Sequence, residues 1–129
     1  MVLEDFRGLT HFKLAMTHSS YCREHNLSLN ECNERLEFLG DAVLKLAISS
    51  FLFEQLPDAR EGCLTKLHSE IVSNKNLEKF ARQLNLNDML ILSTNEEKMG
   101  GREKSSLLSC AFEALLGAIF LEHGYEKVR

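Results

Sequence analysis

The sequence predicts an all-α domain. Apolar residues recur at spacings of three and four in nearly every segment, the signature of amphipathic helices. Alternating stretches rich in β-branched residues are absent. The single proline, Pro57, and the pair Gly100-Gly101 fall between the periodic segments and not inside them.

The elements follow in order. A first helix is expected at 5–18. A long second helix at 32–54 is ended by Pro57, which cannot continue a helix. A third spans 61–73, with Asp58 as a candidate cap, and a fourth 75–84. From Asn85 to Gly101 the chain is polar apart from a short apolar patch, Met89 to Leu92, and reads as a short helix or turn plus loop. The glycine pair breaks the chain, and Ser105 or Ser106 can cap a last helix at 105–122.

A length of 129 residues suits one domain, 1–129, and 44% hydrophobic residues are enough for a core. No repeat or linker-like tract interrupts it. No apolar run is expected to span a membrane, and Met1 to Lys13 lacks the apolar stretch of a signal peptide. Both features point to the cytoplasm, with no membrane partner. Cys22, Cys32, Cys63 and Cys110 form no C-x-x-C pair, so reduced thiols are expected and a zinc site is not. A net charge of −4 argues against nucleic-acid binding through a simple basic patch. It is compatible with carboxylates that hold divalent cations, and it does not exclude an RNA substrate.

The run from Asn33 to Leu44 is the most informative. Glu34, Glu37 and Asp41 stand at i, i+3 and i+7, within about 60° of one another on a helix. Leu36, Leu39, Val43, Leu46 and Ala47 fall on the other side. Spacing alone is that of a solvated acidic stripe as much as of a ligand set. Arg35 and Lys45 are the nearby cations, and neither is expected to neutralise it. Phe38 points close to the carboxylate side, where another helix or a partner chain has to cover it.

A second constellation lies in Leu107 to Leu121, LLSCAFEALLGAIFL, where Ser109 and Glu113 are the clearly polar residues. A helix apolar nearly all round belongs in the centre of a domain. A carboxylate buried there needs a cationic partner, a proton or a metal. If this helix packs beside the long one, Glu113 faces Glu37 and Asp41. Such hard oxygen ligands suit Mg²⁺, or Mn²⁺ in its place.

The eleven-residue run Glu34-Arg35-Leu36-Glu37-Phe38-Leu39-Gly40-Asp41-Ala42-Val43-Leu44 resembles the signature of bacterial ribonuclease III. Thr17-His18-Ser19-Ser20-Tyr21 is similar to the family's T-H-x-S-Y element. Glu61-Gly62-Cys63-Leu64-Thr65-Lys66-Leu67 resembles its E-G-x-L-[ST]-x-L segment, and Ala111 to Leu121 its closing F-E-A-L-x-G-A-x-[YF]-L element.

The resemblance implies the helical ribonuclease III nuclease-domain fold in a homodimer. It implies metal-assisted hydrolysis of double-stranded RNA, leaving 5′-phosphate and 3′-hydroxyl ends, in the processing of ribosomal and messenger RNA precursors. No small-molecule cofactor is implied. By position, Glu37 and Glu113 match metal ligands, and Asp41 an essential carboxylate that organises metal and water. Asp41 and Glu113 are the catalytic pair. Glu34 and Glu61 match acidic residues near the RNA. Arg102 and Lys104 lie in a loop that approaches RNA in the family, although a solvated loop is the simpler reading. Phe38 matches an aromatic knob at the dimer interface.

Two positions depart from the pattern. Cys110 stands where the family has the aspartate of D-x-x-E, and a thiol is a poor Mg²⁺ ligand. Glu37, Asp41 and Glu113 are expected to retain activity with weaker metal affinity; the rival is a catalytically impaired module that binds double-stranded RNA or dimerises. His68 stands where the family often has arginine, which puts one backbone contact at stake. His18 reads as a structural hydrogen-bonding residue, and His11, His25, His68 and His123 show no ligand spacing. No counterpart of the family's carboxy-terminal double-stranded-RNA-binding domain is expected within 1–129. A truncated piece of a longer enzyme, with weak and salt-dependent RNA affinity, is expected.

Overall fold

The computed structural model describes residues 11–124. Seven α-helices follow in order among them: α1 Phe12–Met16, α2 Ser19–Glu24, α3 Glu34–Gln55, α4 Glu61–Ile71, α5 Asn74–Gln83, α6 Thr94–Lys98 and α7 Ser105–His123. Short 3₁₀ turns occupy Leu29–Glu31, Leu86–Asp88 and Gly101–Glu103.

The apolar α7 is the axis of the fold, as its composition requires. It packs against α3, α5 and α1. Leu108, Ala111, Ala114, Leu115, Ala118 and Ile119 bury into a core shared with Ala15, Met16, Leu36, Ala81, Leu86 and Leu90. Ser105–Glu122 has a mean hydropathy of 1.5 over 18 residues, enough by length and composition to cross a membrane. The expectation that no segment reaches that threshold is corrected here. The same apolar residues build the interior of this domain.

The first helix also departs from the expectation. Instead of one helix at 5–18, α1 and α2 are separated at Thr17 and His18; residues 5–10 lie outside the described region. Thr17 is extended and forms a parallel bridge with Ile91. Ile91 N donates to Met16 O and His18 N to Ile91 O, both at 2.9 Å. These long-range bonds outweigh the local helical preference. His18 then caps α2 by accepting from Ser20 N at 3.1 Å, which is a structural role.

Neither Asp58 nor Ser105 nor Ser106 caps a helix. Arg60 and Lys104 hold the N-cap positions of α4 and α7, without side-chain cap bonds. Side-chain caps come instead from Ser73 and Ser93, on α5 and α6. Leu46, expected on the apolar face of α3, is 55% exposed, whereas Leu36 and Val43 are buried. Buried Asn33 pins the start of α3: its Nδ2 donates to Ala15 O at 3.1 Å and its backbone N to Thr17 O at 2.9 Å.

Candidate active site

Two interior glycines set where the carboxylates meet. A glycine costs a helix interior about 1 kcal/mol relative to alanine, so one in each of the two longest helices needs a reason. A Cβ on Gly40 would stand 1.6 Å from the Glu113 carbonyl oxygen, and one on Gly117 2.5 Å from that of Leu36. α3 and α7 therefore touch backbone to backbone. Glu37 and Asp41 flank this crossing on α3, and Cys110 and Glu113 on α7.

Glu113 is buried, with 9% of its surface exposed. Its carboxyl lies beside that of Asp41, and each perturbs the other. Two adjacent carboxyls repel each other when both are ionised, which favours a proton on one of them. Burial, reinforced by Asp41 and Glu37, pushes Glu113 up to about 8, which favours its protonated form near neutral pH. Burial acts upward on Asp41 too, but hydrogen bonds from Glu113 and Lys45 outweigh it and leave Asp41 below its ordinary value. Lys45 Nζ lies 3.0 Å from Asp41 Oδ2, one turn along α3. The expectation that no nearby cation serves the acidic stripe is corrected: the i,i+4 spacing brings Lys45 onto it.

Cys110 Sγ donates to Glu37 Oε1 at 3.1 Å. Burial, then Glu37, raise the thiol to about 12, so it stays protonated at neutral pH. The predicted site residues thus come together as two pairs, Glu37 with Cys110 and Asp41 with Glu113. Among the described residues, no three His, Cys, Asp or Glu side chains already form a cage for an ion. The donor chemistry nevertheless fits a hard divalent cation. Three carboxyl groups border one crossing, two of them neighbours, and Mg²⁺ needs few protein oxygens because it keeps waters.

The remaining candidates sit around this centre. Glu34 and Glu61 are exposed at the starts of α3 and α4. Arg102 Nε lies 2.7 Å from Glu97, and Lys104 Nζ lies 2.7 Å from Glu96, so both loop cations are paired. His68 Nε2 sits 3.2 Å from the Lys45 carbonyl oxygen, a backbone contact at the position where arginine was expected. Phe38 is 82% exposed and borders an open apolar groove with Leu14, Leu36, Leu39 and Leu121. No residue of α4 is buried within the chain. The glycine crossing and Lys45 escaped the sequence reading. An interior glycine in each helix was the available signal for the first, and the i,i+4 offset for the second.

The family model described as Ribonuclease-III-like matches residues 10–129. The chain belongs to the ribonuclease-III-like family. Among curated relatives, ribonuclease 3 of Oleidesulfovibrio alaskensis is 51% identical over 120 residues, covering 93% of this chain and 52% of the relative. Ribonuclease 3 of Staphylococcus saprophyticus is 46% identical over 124 residues, covering 96% and 51%. The chain spans about half the length of the curated relatives it matches. Among solved structures, it is similar to the nuclease domain of ribonuclease III from Campylobacter jejuni, which has been described for flexibility in a region involved in dimer formation. That match has a TM-score of 0.84 and 44% identity, covering 91% of this chain and 78% of the other. Dicer from Pichia stipitis matches with a TM-score of 0.67 and 29% identity, over 94% and 49%. The all-α ribonuclease-III-like fold expected from the signature run is the fold this chain adopts.

Proposed function

We propose that this domain is an endoribonuclease that cuts double-stranded RNA by metal-assisted phosphodiester hydrolysis, acting as a homodimer. The observation that carries the reading is the buried Glu113 carboxyl, set beside Asp41 at the α3–α7 crossing with Glu37 one turn away. A structural acid at that depth would have a cationic partner. This one has a second acid.

Glu37, Asp41 and Glu113 would hold Mg²⁺ or Mn²⁺. When bound, such an ion lowers the pKa of a water and stabilises charge on the leaving oxygen. The residues of the chain do the rest. With a cation bound, Glu113 would be ionised, its proton released to solvent. Asp41 and Glu113 then orient the attacking water, and Lys45 keeps Asp41 ionised. Glu34 and Glu61 lie towards the duplex. Arg102 and Lys104 reach phosphate by exchanging Glu97 and Glu96 for it.

Dimerisation is supported by Phe38, which is exposed, and by α4, none of whose residues the chain fully buries. The A-form duplex would be read by shape and backbone.

The rival reading, a module that binds duplex RNA or dimerises without cutting, is favoured by one observation: Cys110 is a neutral thiol bonded to Glu37. Labelled RNA duplex, the corresponding single strand and a DNA duplex, each incubated with Mg²⁺ or Mn²⁺, separate the two. Cleavage of the RNA duplex alone, lost in Glu113→Gln, is the expected result. An inert parent chain that gains cleavage as Cys110→Asp would establish the rival. Cutting that persists in Glu113→Gln would overturn the site.

A further inference from the structure

We propose that Cys110 is a positioning residue: its thiol, as a hydrogen-bond donor, holds the Glu37 carboxylate ready for a divalent ion and does not bind the ion itself. The proposal rests on the metal site inferred above and concerns the position where this chain departs from the D-x-x-E pattern.

Glu37 is a long, partly exposed side chain, and ordering it costs up to about 2 kcal/mol of rotamer freedom. Cys110 has a short side chain on the helix that is locked against α3. Its neighbours Ser109 and Ala111 are buried, and the glycine crossing lies within two turns. A donor on so rigid a mount removes much of the freedom of Glu37 before any ion arrives. The bond runs Sγ–H to Oε1 at 3.1 Å, which leaves the other carboxylate oxygen of Glu37 for a cation.

Chemistry assigns the roles in the same way. Ligation by sulfur would remove the S–H proton, and with it the bond to Glu37. Soft sulfur is a poor exchange for a hard oxygen at Mg²⁺. The neutral donor therefore stands behind the ligand, where partners of a metal-bound group orient it and typically change affinity 10- to 100-fold, as an order of magnitude.

Calorimetric titration of the full chain with Mg²⁺ and Mn²⁺ tests this on Cys110→Ala, Cys110→Ser and Glu113→Gln. Cys110→Ala should weaken binding by about 10-fold or more. Cys110→Ser, which retains a donor, should stay close to the parent. With Co²⁺ as the probe, parent and Cys110→Ser should give the same spectrum, without a sulfur-to-metal charge-transfer band assignable to Cys110. Urea unfolding of each variant confirms that the fold persists. Full affinity in Cys110→Ala, equal losses in the serine and alanine variants, or a Co²⁺ charge-transfer band that vanishes in Cys110→Ser would each overturn the positioning role alone. A parent chain that binds neither ion would overturn the metal site itself, and this proposal with it.

Discussion

Gly40→Ala adds one methyl at the tightest point of the fold. The new carbon would lie 1.6 Å from the Glu113 carbonyl oxygen, 2.5 Å from its carbonyl carbon and 3.0 Å from Gly117 N. Real Cβ contacts do not fall below 3.0 Å, and all three atoms are backbone, so no side chain can swing away. The helices must part instead. Alanine gains about 1 kcal/mol of helix propensity over glycine. Overpacking ordinarily costs about 1–3 kcal/mol, and a rigid backbone neighbour places this site at or beyond the upper end. With looser packing of Leu36 and Leu115 added, a net loss of about 2–3 kcal/mol is expected, a large share of a domain's typical 5–15 kcal/mol. Urea unfolding followed by far-ultraviolet circular dichroism measures it. Gly62→Ala is the control, because nothing lies within 4 Å of a Cβ there; it should be neutral or slightly stabilising. A Gly40→Ala midpoint equal to or above that of the parent would refute the backbone-to-backbone crossing as the device that assembles the site.

Stability in metal-free buffer should depend on pH through Glu113. Its ordinary value is 4.5 and its folded value about 8, so the folded state holds the proton more tightly and stability falls as pH rises between them. That contribution is complete below about 4.5 and lost above about 8, and such a shift is on the order of 3–5 kcal/mol. Asp41 acts in the opposite sense: its contribution is present above its ordinary 3.8 and lost on acidification. Urea midpoints should therefore decline from mildly acidic to alkaline pH, and a flat profile in the parent would contradict the buried proton. Glu113→Gln keeps the shape of the side chain without its charge. It should flatten that decline and abolish duplex cleavage while the helical spectrum is unchanged; retained cleavage would exclude Glu113 from the chemistry. Phe38→Ala should weaken the dimer about 100-fold or more, because burying the ring contributes about 1.5–3 kcal/mol in each copy of a symmetric interface. Sedimentation equilibrium reads this directly, and an unchanged dissociation constant would move the interface elsewhere.

Much of this molecule can be read along the chain. The extents of α3, α5 and α7 follow from apolar spacing and from Pro57, to within a residue or two. The lone acid in LLSCAFEALLGAIFL marks Glu113 as a buried group in need of a partner, because an apolar helix has few other places to be. Family membership is carried by the eleven residues from Glu34 to Leu44. What failed was local detail settled by distant partners. The break at Thr17 exists because Ile91, far along the chain, offers its backbone hydrogen bonds. Asp58 and Ser105 are good capping residues in isolation, yet the chain enters α4 and α7 through Arg60 and Lys104.

The sequence by itself determined the helical class, the family and the identity of the acidic groups, since these depend on residue type and spacing along one strand of chain. Only the tertiary structure decided that Glu113 lies beside Asp41, that Lys45 sits on Asp41, and that Cys110 donates to Glu37. Those relations depend on how closely two helices approach. That distance is set where Gly40 meets Glu113 and Gly117 meets Leu36, contacts between residues more than seventy positions apart that spacing along the chain does not encode.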